Sequence, residues 1–301
     1  KIQKYAKENN YKPNFNALSL NTRSTKTIGV IIPTMLNYFF AQVFKGIEKT
    51  ALEKGYKVIT CISNQSYDKE VEIIEMLSNG SIDGFLLSLA KETELNNKHN
   101  HFKEAIENGT PIVMFDRVAQ SIDCDKVITD DLNSAANTVE FLYKKGHKKI
   151  AFVSTISDLH IGKQRFLGYK KGLEKVGLPF DESLVLNILE RDYKKYIKQV
   201  KPFVKTTAID AVIATGESVA VSTMKAIKKS GKKIPKDVAV IAFSNGILSR
   251  HSSPKMTTIS QHGEQMGATA TEILIDKLEK KHTDIVTEVI KTDIVTRDST
   301  R

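Results

Sequence analysis

Two doubly wound α/β subdomains with a cleft between them are the fold class this sequence predicts, on three observations. From residue 27 almost to the end, short runs that are apolar on both faces alternate with amphipathic stretches. That pattern belongs to parallel strands covered by helices on both sides. About ten such strands in a row are more than one sheet usually holds, and two sheets of five or six are the commoner solution. The length of 301 residues also exceeds the usual size of a single core.

In order, residues 1–10 put Ile2, Tyr5 and Ala6 on one helical face, and Asn9-Asn10 stop that helix. It has nothing to pack against, so it is either the end of a larger unit or frayed. Residues 14–20 hold Asn, Ala, Ser and Leu at helical spacing, 21–26 form a polar basic linker, and 27–32 read as a buried strand stopped by Pro33. Helix 39–54 carries Phe39, Phe40, Val43, Ile47 and Ala51 and closes at Gly55. Strand 56–63, helix 69–79 and strand 84–89 follow, and then a long polar loop over 91–101. Helix 102–108 leads to strand 111–115 and a short strand 127–129. Beyond them come helix 134–145, strand 150–154, helix 163–176, strand 185–188 and a helix over 193–204 despite Pro202. Strand 211–214, helix 217–230, strand 238–243 and a long helix 261–279 precede the closing segments 288–292 and 293–297.

Composition bounds the function. A hydrophobic share of 41% and a charged share of 27% fit a soluble globular chain. The formal charge of +10 suggests an anionic partner or serves solubility alone. Cys61 and Cys124 sit in strand-like contexts and are expected as buried free thiols of a reducing compartment. Residues 1–10 lack the apolar core of a signal peptide, and no run approaches ~18 apolar residues. The expectation is a cytoplasmic protein with no membrane contact.

In open α/β sheets ligands sit beyond the carboxyl ends of the strands. There the chain offers Asn37 with Tyr38, Phe39 and Phe40, then Ser63-Asn64, Asp116-Arg117, Asp130-Asp131, residues 215–218 and Ser244-Asn245. Amides, hydroxyls, carboxylates and rings suit a polyhydroxylated or heterocyclic small molecule, although any one Asp or Asn serves equally as a helix N-cap. Signatures of phosphate loops, dinucleotide sites, nucleophile elbows and zinc helices are absent. His99 and His101 lack Cys or Glu at metal spacing, and no His or nucleophile stands beside Asp116 or the Asp130-Asp131 pair. No metal, cofactor or catalytic set is expected, so an enzyme is the weaker class.

The motifs in order resemble the lactose-repressor/galactose-repressor (LacI/GalR) family of bacterial transcription regulators. They are Tyr11-Lys12-Pro13-Asn14 with Ala17 and Ser19-Leu20, then Thr27-Ile28-Gly29-Val30-Ile31-Ile32-Pro33, Asn37-Tyr38-Phe39-Phe40 and Gly46-Ile47-Glu48. Asp83-Gly84-Phe85, Pro111-Ile112-Val113, Asp116-Arg117 and Asp130-Asp131 continue the set. Gly146-His147-Lys148-Lys149-Ile150, Arg165-Phe166-Leu167-Gly168-Tyr169, Ile234-Pro235-Lys236-Asp237-Val238 and Thr257-Thr258-Ile259 complete it.

The resemblance implies a helix-turn-helix head, of which residues 1–13 are an incomplete end, and a hinge helix with linker over 14–26. It also implies a two-lobed core like type I periplasmic binding proteins. The first core unit is expected at 27–129 plus 260–281, the second at 130–259 plus 282–301. By resemblance Leu20 wedges into the minor groove, Asn14 and Ala17 lie against it, and Lys12, Arg23 and Lys26 meet phosphates. A seven-residue helix is too short to stand alone, so it is expected to fold on DNA or in a dimer.

Arg165 matches a family arginine that faces the cleft; without the family match it reads as a surface ion pair. Phe39 and Phe40 divide between ring stacking and core. The effector set is Asn37, Phe39, Phe40, Asp116, Asp130, Arg165, Glu217, Ser244 and Asn245. Glu217 and Ser244 replace family residues that often bind sugar hydroxyls, which raises an acidic or atypical ligand beside a sugar. The expected function is a ligand-responsive repressor of a carbohydrate or related catabolic operon. Its partners are operator DNA, a small effector and a second copy of the chain. A periplasmic-type solute-binding protein is the alternative, and the hinge-like 14–26 speaks against it.

Overall fold

Successive side chains of the strand Thr27–Ile32 (β1) enter opposite cores. Ile28, Val30 and Ile32 pack with Phe39, Phe40 and Leu274 on one face, while Ile31 joins Phe85, Phe102 and Met114 on the other. A strand buried on both faces cannot alternate polar with apolar, so it reads as an unbroken apolar run. The computed structural model describes residues 24–190, 192–281 and 283–301. The expected head remnant and the hinge residues Lys12, Asn14, Ala17, Leu20 and Arg23 lie outside the described residues.

Two six-stranded sheets build the chain. The first contains β1, β2 (Lys57–Ile62), β3 (Gly84–Leu87), β4 (Ile112–Phe115), β5 (Asp125–Thr129) and β11 (Thr287–Ile290), in the order β11-β5-β4-β3-β1-β2. The second contains β6 (Ile150–Ser154), β7 (Val185–Asn187), β8 (Ala211–Ala214), β9 (Ala239–Phe243), β10 (Thr257–Ser260) and β12 (Asp293–Val295). Its order is β12-β10-β9-β8-β6-β7, and only the β10–β12 pair is antiparallel. Helices α1 (Tyr38–Glu53), α2 (Tyr67–Leu77), α3 (Lys91–Asn96) and α4 (Asn100–Glu107) belong to the first sheet. Helices α5 (Asp131–Lys144), α6 (His160–Lys175), α7 (Tyr196–Thr206), α8 (Glu217–Lys229) and α9 (Ile247–His251) belong to the second. The chain then returns, and α10 (Gly263–Leu278) packs on α1 over the first sheet. That packing is backbone on backbone. A Cβ at Gly46 meets Glu264 O at 2.0 Å, and one at Gly267 meets Val43 O at 2.0 Å.

Several expectations change. The polar stretch 91–101 is not a loop: it forms α3 and opens α4, because its charged side chains face neighbouring elements rather than a core of its own. Residues 257–260 form a strand that Thr-rich polarity concealed, since Thr257 and Thr258 are buried but hydrogen-bonded to Arg297 and Thr300. Of the segment 282–301, expected whole in the second unit, β11 pairs with β5 in the first sheet and only β12 joins the second. The free thiol of Cys61 is half-buried on edge strand β2 rather than buried, while Cys124 is buried as expected.

Candidate functional site

The carboxyl ends of the two sheets face each other, and their side chains build the site. Asp116 follows β4 with φ +59, a left-handed conformation that Asp tolerates better than most residues. It is 7% exposed, and its backbone N–H donates to Val127 O at 3.0 Å. Burial pushes its carboxyl up to about 6, against the pull of the adjacent Arg117. Arg117 donates from Nη1 to Gln65 Oε1 at 2.7 Å, and burial draws its own pKa down. Its Nε is buried without a partner, as are Ser63 Oγ after β2 and Ser88 Oγ after β3. Buried polar atoms are nearly always paired, so a cluster of unpaired ones at strand ends marks where a ligand or water is held.

From the second unit, Arg165 on α6 is buried. Its Nε donates to Asp131 Oδ1 at 2.6 Å, its Nη1 donates to Thr215 O at 3.2 Å, and its guanidinium lies 3.9 Å from the Phe243 ring centre. Asp131 opens α5 and also accepts from Thr129 Oγ1 at 3.1 Å. A cavity of about 360 Å³ adjoins this pair, lined by Asp116, Gln120, Asp130, Asp131, His160 and Gln164 with Val118, Ile128 and Val289.

Contacts cross the cleft on both sides. Lys91 Nζ lies 2.5 Å from Asp158 Oδ2, and Glu94 accepts a hydrogen bond from the backbone N–H of His160. His160 is the first residue of α6, whose own N-cap Leu159 supplies no side-chain acceptor. The first unit therefore caps a helix of the second. Opposite, the Tyr38 ring packs against Gly246, where a Cβ would meet its Cδ1 at 2.8 Å.

The expected effector residues divide. Asp116, Asp130 and Arg165 come together here. Asp130 is spent as an N-cap, accepting from Asn133 N at 3.1 Å and Asn133 Nδ2 at 2.6 Å. Asn37 caps α1 through Phe39 N at 3.1 Å. Phe39 and Phe40, left open between stacking and core, are core: 3% and 1% exposed, edge to face at 5.4 Å. Glu217, expected to face ligand, accepts from Gly246 N at 2.6 Å and Ser249 N at 3.1 Å, and so holds α9. Asn245 accepts from Arg297 Nη2 at 2.6 Å. Ser244 is buried with φ +94 and donates its backbone N–H to Ile259 O. Sequence reasoning missed Ser88 at the end of β3, and it missed Glu94, Lys91 and Asp158 because their roles appear only when the two units meet.

His101 sits far from any metal set. Its Nε2 lies 3.1 Å from Glu70 Oε1, and Glu70, with no exposure, also accepts from Thr93 Oγ1 at 2.5 Å and Ala90 N at 2.6 Å. No group of three or more His, Cys, Asp or Glu able to hold a metal occurs among the described residues.

Residues 139–300 match the model of a periplasmic binding protein-like domain. Catabolite control protein A of Streptococcus mutans is 32% identical over 97% of this chain and 85% of its own length. The HTH-type transcriptional repressor PurR of Vibrio parahaemolyticus is 29% identical over 100% of this chain and 89% of its own. Among solved structures, the transcriptional regulator CelR–cellobiose complex superposes with a TM-score of 0.82 at 23% identity, covering 99% of this chain and 89% of that one.

Proposed function

The chain belongs to the LacI/GalR family of ligand-responsive, DNA-binding transcriptional regulators, and from that membership we propose a repressor of carbohydrate or related catabolic genes whose effector is an uncharged sugar. The observation that carries the effector reading is the set of unpaired buried polar atoms on Ser63, Ser88 and Arg117 at the ends of β2, β3 and β4, beside the buried carboxyl of Asp116. Carboxylate and hydroxyl oxygens at strand ends suit a ring of hydroxyls. An acidic ligand fits less well. Arg165 is paired with Asp131, Arg117 has Asp116 beside it, and Lys91 is bound to Asp158, so each of these three cations already has a carboxylate among the described residues. The cellobiose named with the structural relative supports the same class.

Ligand binding between the units changes how they sit on one another, and that change reaches DNA through residues 14–26 by population shift. In this reading Leu20 wedges into the minor groove, Asn14 and Ala17 lie against it, and Lys12 and Arg23 hold phosphates. The protein works in the cytoplasm as a homodimer. The dimer reading draws support from Ile59 and Ile62, exposed on edge strand β2, and from exposed Ile247 and Leu248 on α9.

Thermal unfolding against a panel of neutral and phosphorylated sugars tests the effector assignment. A neutral sugar is expected to raise the midpoint of the wild type and not that of Asp116→Asn or Arg165→Lys. Equal shifts in all three proteins, or stabilisation by phosphorylated sugars alone, would sink it.

A further inference from the structure

The cleft leaves the positive charge of the chain unexplained. Residues 27–129 hold 10 Lys+Arg against 14 Asp+Glu, whereas residues 130–259 hold 23 against 12. The excess is densest over 193–236, where eleven lysines face only Asp210 and Glu217. Neither carboxylate answers them. Glu217 is buried on Gly246 and Ser249, and Asp210 accepts from the backbone of Lys148 and Lys149.

Lys194, Lys198, Lys201 and Lys205 recur at steps of four, three and four, which sets them in one row along α7 and the turn before it. All four are exposed. The neighbouring α8 packs on α7 and exposes Lys225, Lys228 and Lys229, with Lys233 and Lys236 following it. Lys195 reaches Glu190 at 3.4 Å and Lys228 donates to Ser253 O. The row on α7 has no ion pair among the described residues. Like charges three and four residues apart repel and weaken a helix, so the rows work against the fold that carries them.

We propose that these two lysine rows bind the phosphate backbone of duplex DNA without reading its sequence, as a second DNA contact separate from the hinge. The row on α7 is about 16 Å long at 1.5 Å per residue, enough to follow several phosphates. Lysine supplies point charges rather than the forked donors that recognise one geometry. Surfaces that dock proteins are poor in Lys and rich in aromatics and Arg, and the exposed row has neither. The rows lie on the second unit, while the segment that precedes β1 leaves from the first. The duplex held here is thus a different stretch of DNA from the one beneath the hinge. Such a contact keeps the regulator on DNA when effector has released the hinge. It does not depend on the identity of the effector.

The test uses the full chain, an operator-free duplex and fluorescence anisotropy between about 50 and 200 mM salt. Lys194, Lys198, Lys201 and Lys205→Glu together are compared with Lys49, Lys54, Lys69 and Lys103→Glu, an equal charge change on exposed residues of the first unit. The row variant is expected to lose at least tenfold in affinity at the lower salt, with a log–log salt slope shallower by about 0.9 per lost contact. The control is expected to stay within about twofold of wild type on the same scale. Equal losses in both variants would reduce the effect to overall charge, and no loss in either would remove it; each outcome overturns the proposal. If the reversal unfolds the protein, Lys198, Lys201 and Lys205→Gln must show the same ranking, and failure to do so overturns it equally.

Discussion

Lys91 Nζ and Asp158 Oδ2 meet at 2.5 Å across the cleft, from α3 of the first unit to the turn before α6 of the second. With Glu94 capping α6 through His160 N, this pair makes α3 a strap between the units. Both side chains are mostly buried, at 15% and 25% exposure, so the pair is screened less than a surface pair. Lys91→Ala and Asp158→Ala are each expected to favour the open arrangement and enlarge the radius of gyration in X-ray scattering. Their coupling in a double-mutant cycle should be on the order of 1 kcal/mol. Strict additivity with unchanged scattering would mean that the pair does not hold the units together.

Asp116 gives the protein a pH signature. Its folded pKa of about 6 lies above the ordinary value of 3.8. Between those values the native state keeps a proton that the unfolded chain has lost, so stability falls as pH rises through the window and stays lower above it. Asp116→Asn is expected to remove that fall and to gain on the order of 3 kcal/mol at neutral pH. Urea titrations at several pH values check this, and parallel profiles for variant and wild type would refute it.

Glu70 carries a buried load. Removing its carboxylate with Glu70→Ala leaves Ala90 N, Thr93 Oγ1 and His101 Nε2 without their acceptor at a site with no exposure. A loss on the order of 3 kcal/mol is expected by chemical denaturation. Because Ala90 and Thr93 start the strap, interdomain scattering should change as well. A loss below about 0.5 kcal/mol, the range of ordinary surface substitutions, would contradict the role.

Gly46→Ala tests the α1–α10 seam. Its new Cβ meets the backbone carbonyl of Glu264, which cannot swing aside as a side chain could. The helices must separate, at about 1–3 kcal/mol, seen as a lower unfolding midpoint. A midpoint equal to that of wild type would show that the seam yields freely.

What the sequence determined by itself is the alternation of strand and helix, the two-unit class and the family. Strands such as β1 and β8 feed a core on each face, and only unbroken apolar runs do that, so local composition suffices to find them. Asp116 was legible for a related reason, since it follows such a strand, where ligands gather, whereas Arg165 lies inside α6 and was singled out by the family resemblance. The tertiary structure alone decided the rest. Glu217, Asn245, Asn37 and Asp130 have the chemistry of ligand contacts, but an oxygen of each already accepts from a backbone N–H or from Arg297. A carboxylate or amide looks the same in sequence whether a helix end or a ligand satisfies it. The strap over 91–96 was hidden more deeply, since its charges answer groups more than sixty residues away on another sheet. Strand placement obeys short-range patterning, whereas a polar side chain's role is fixed by the partner that folding brings to it.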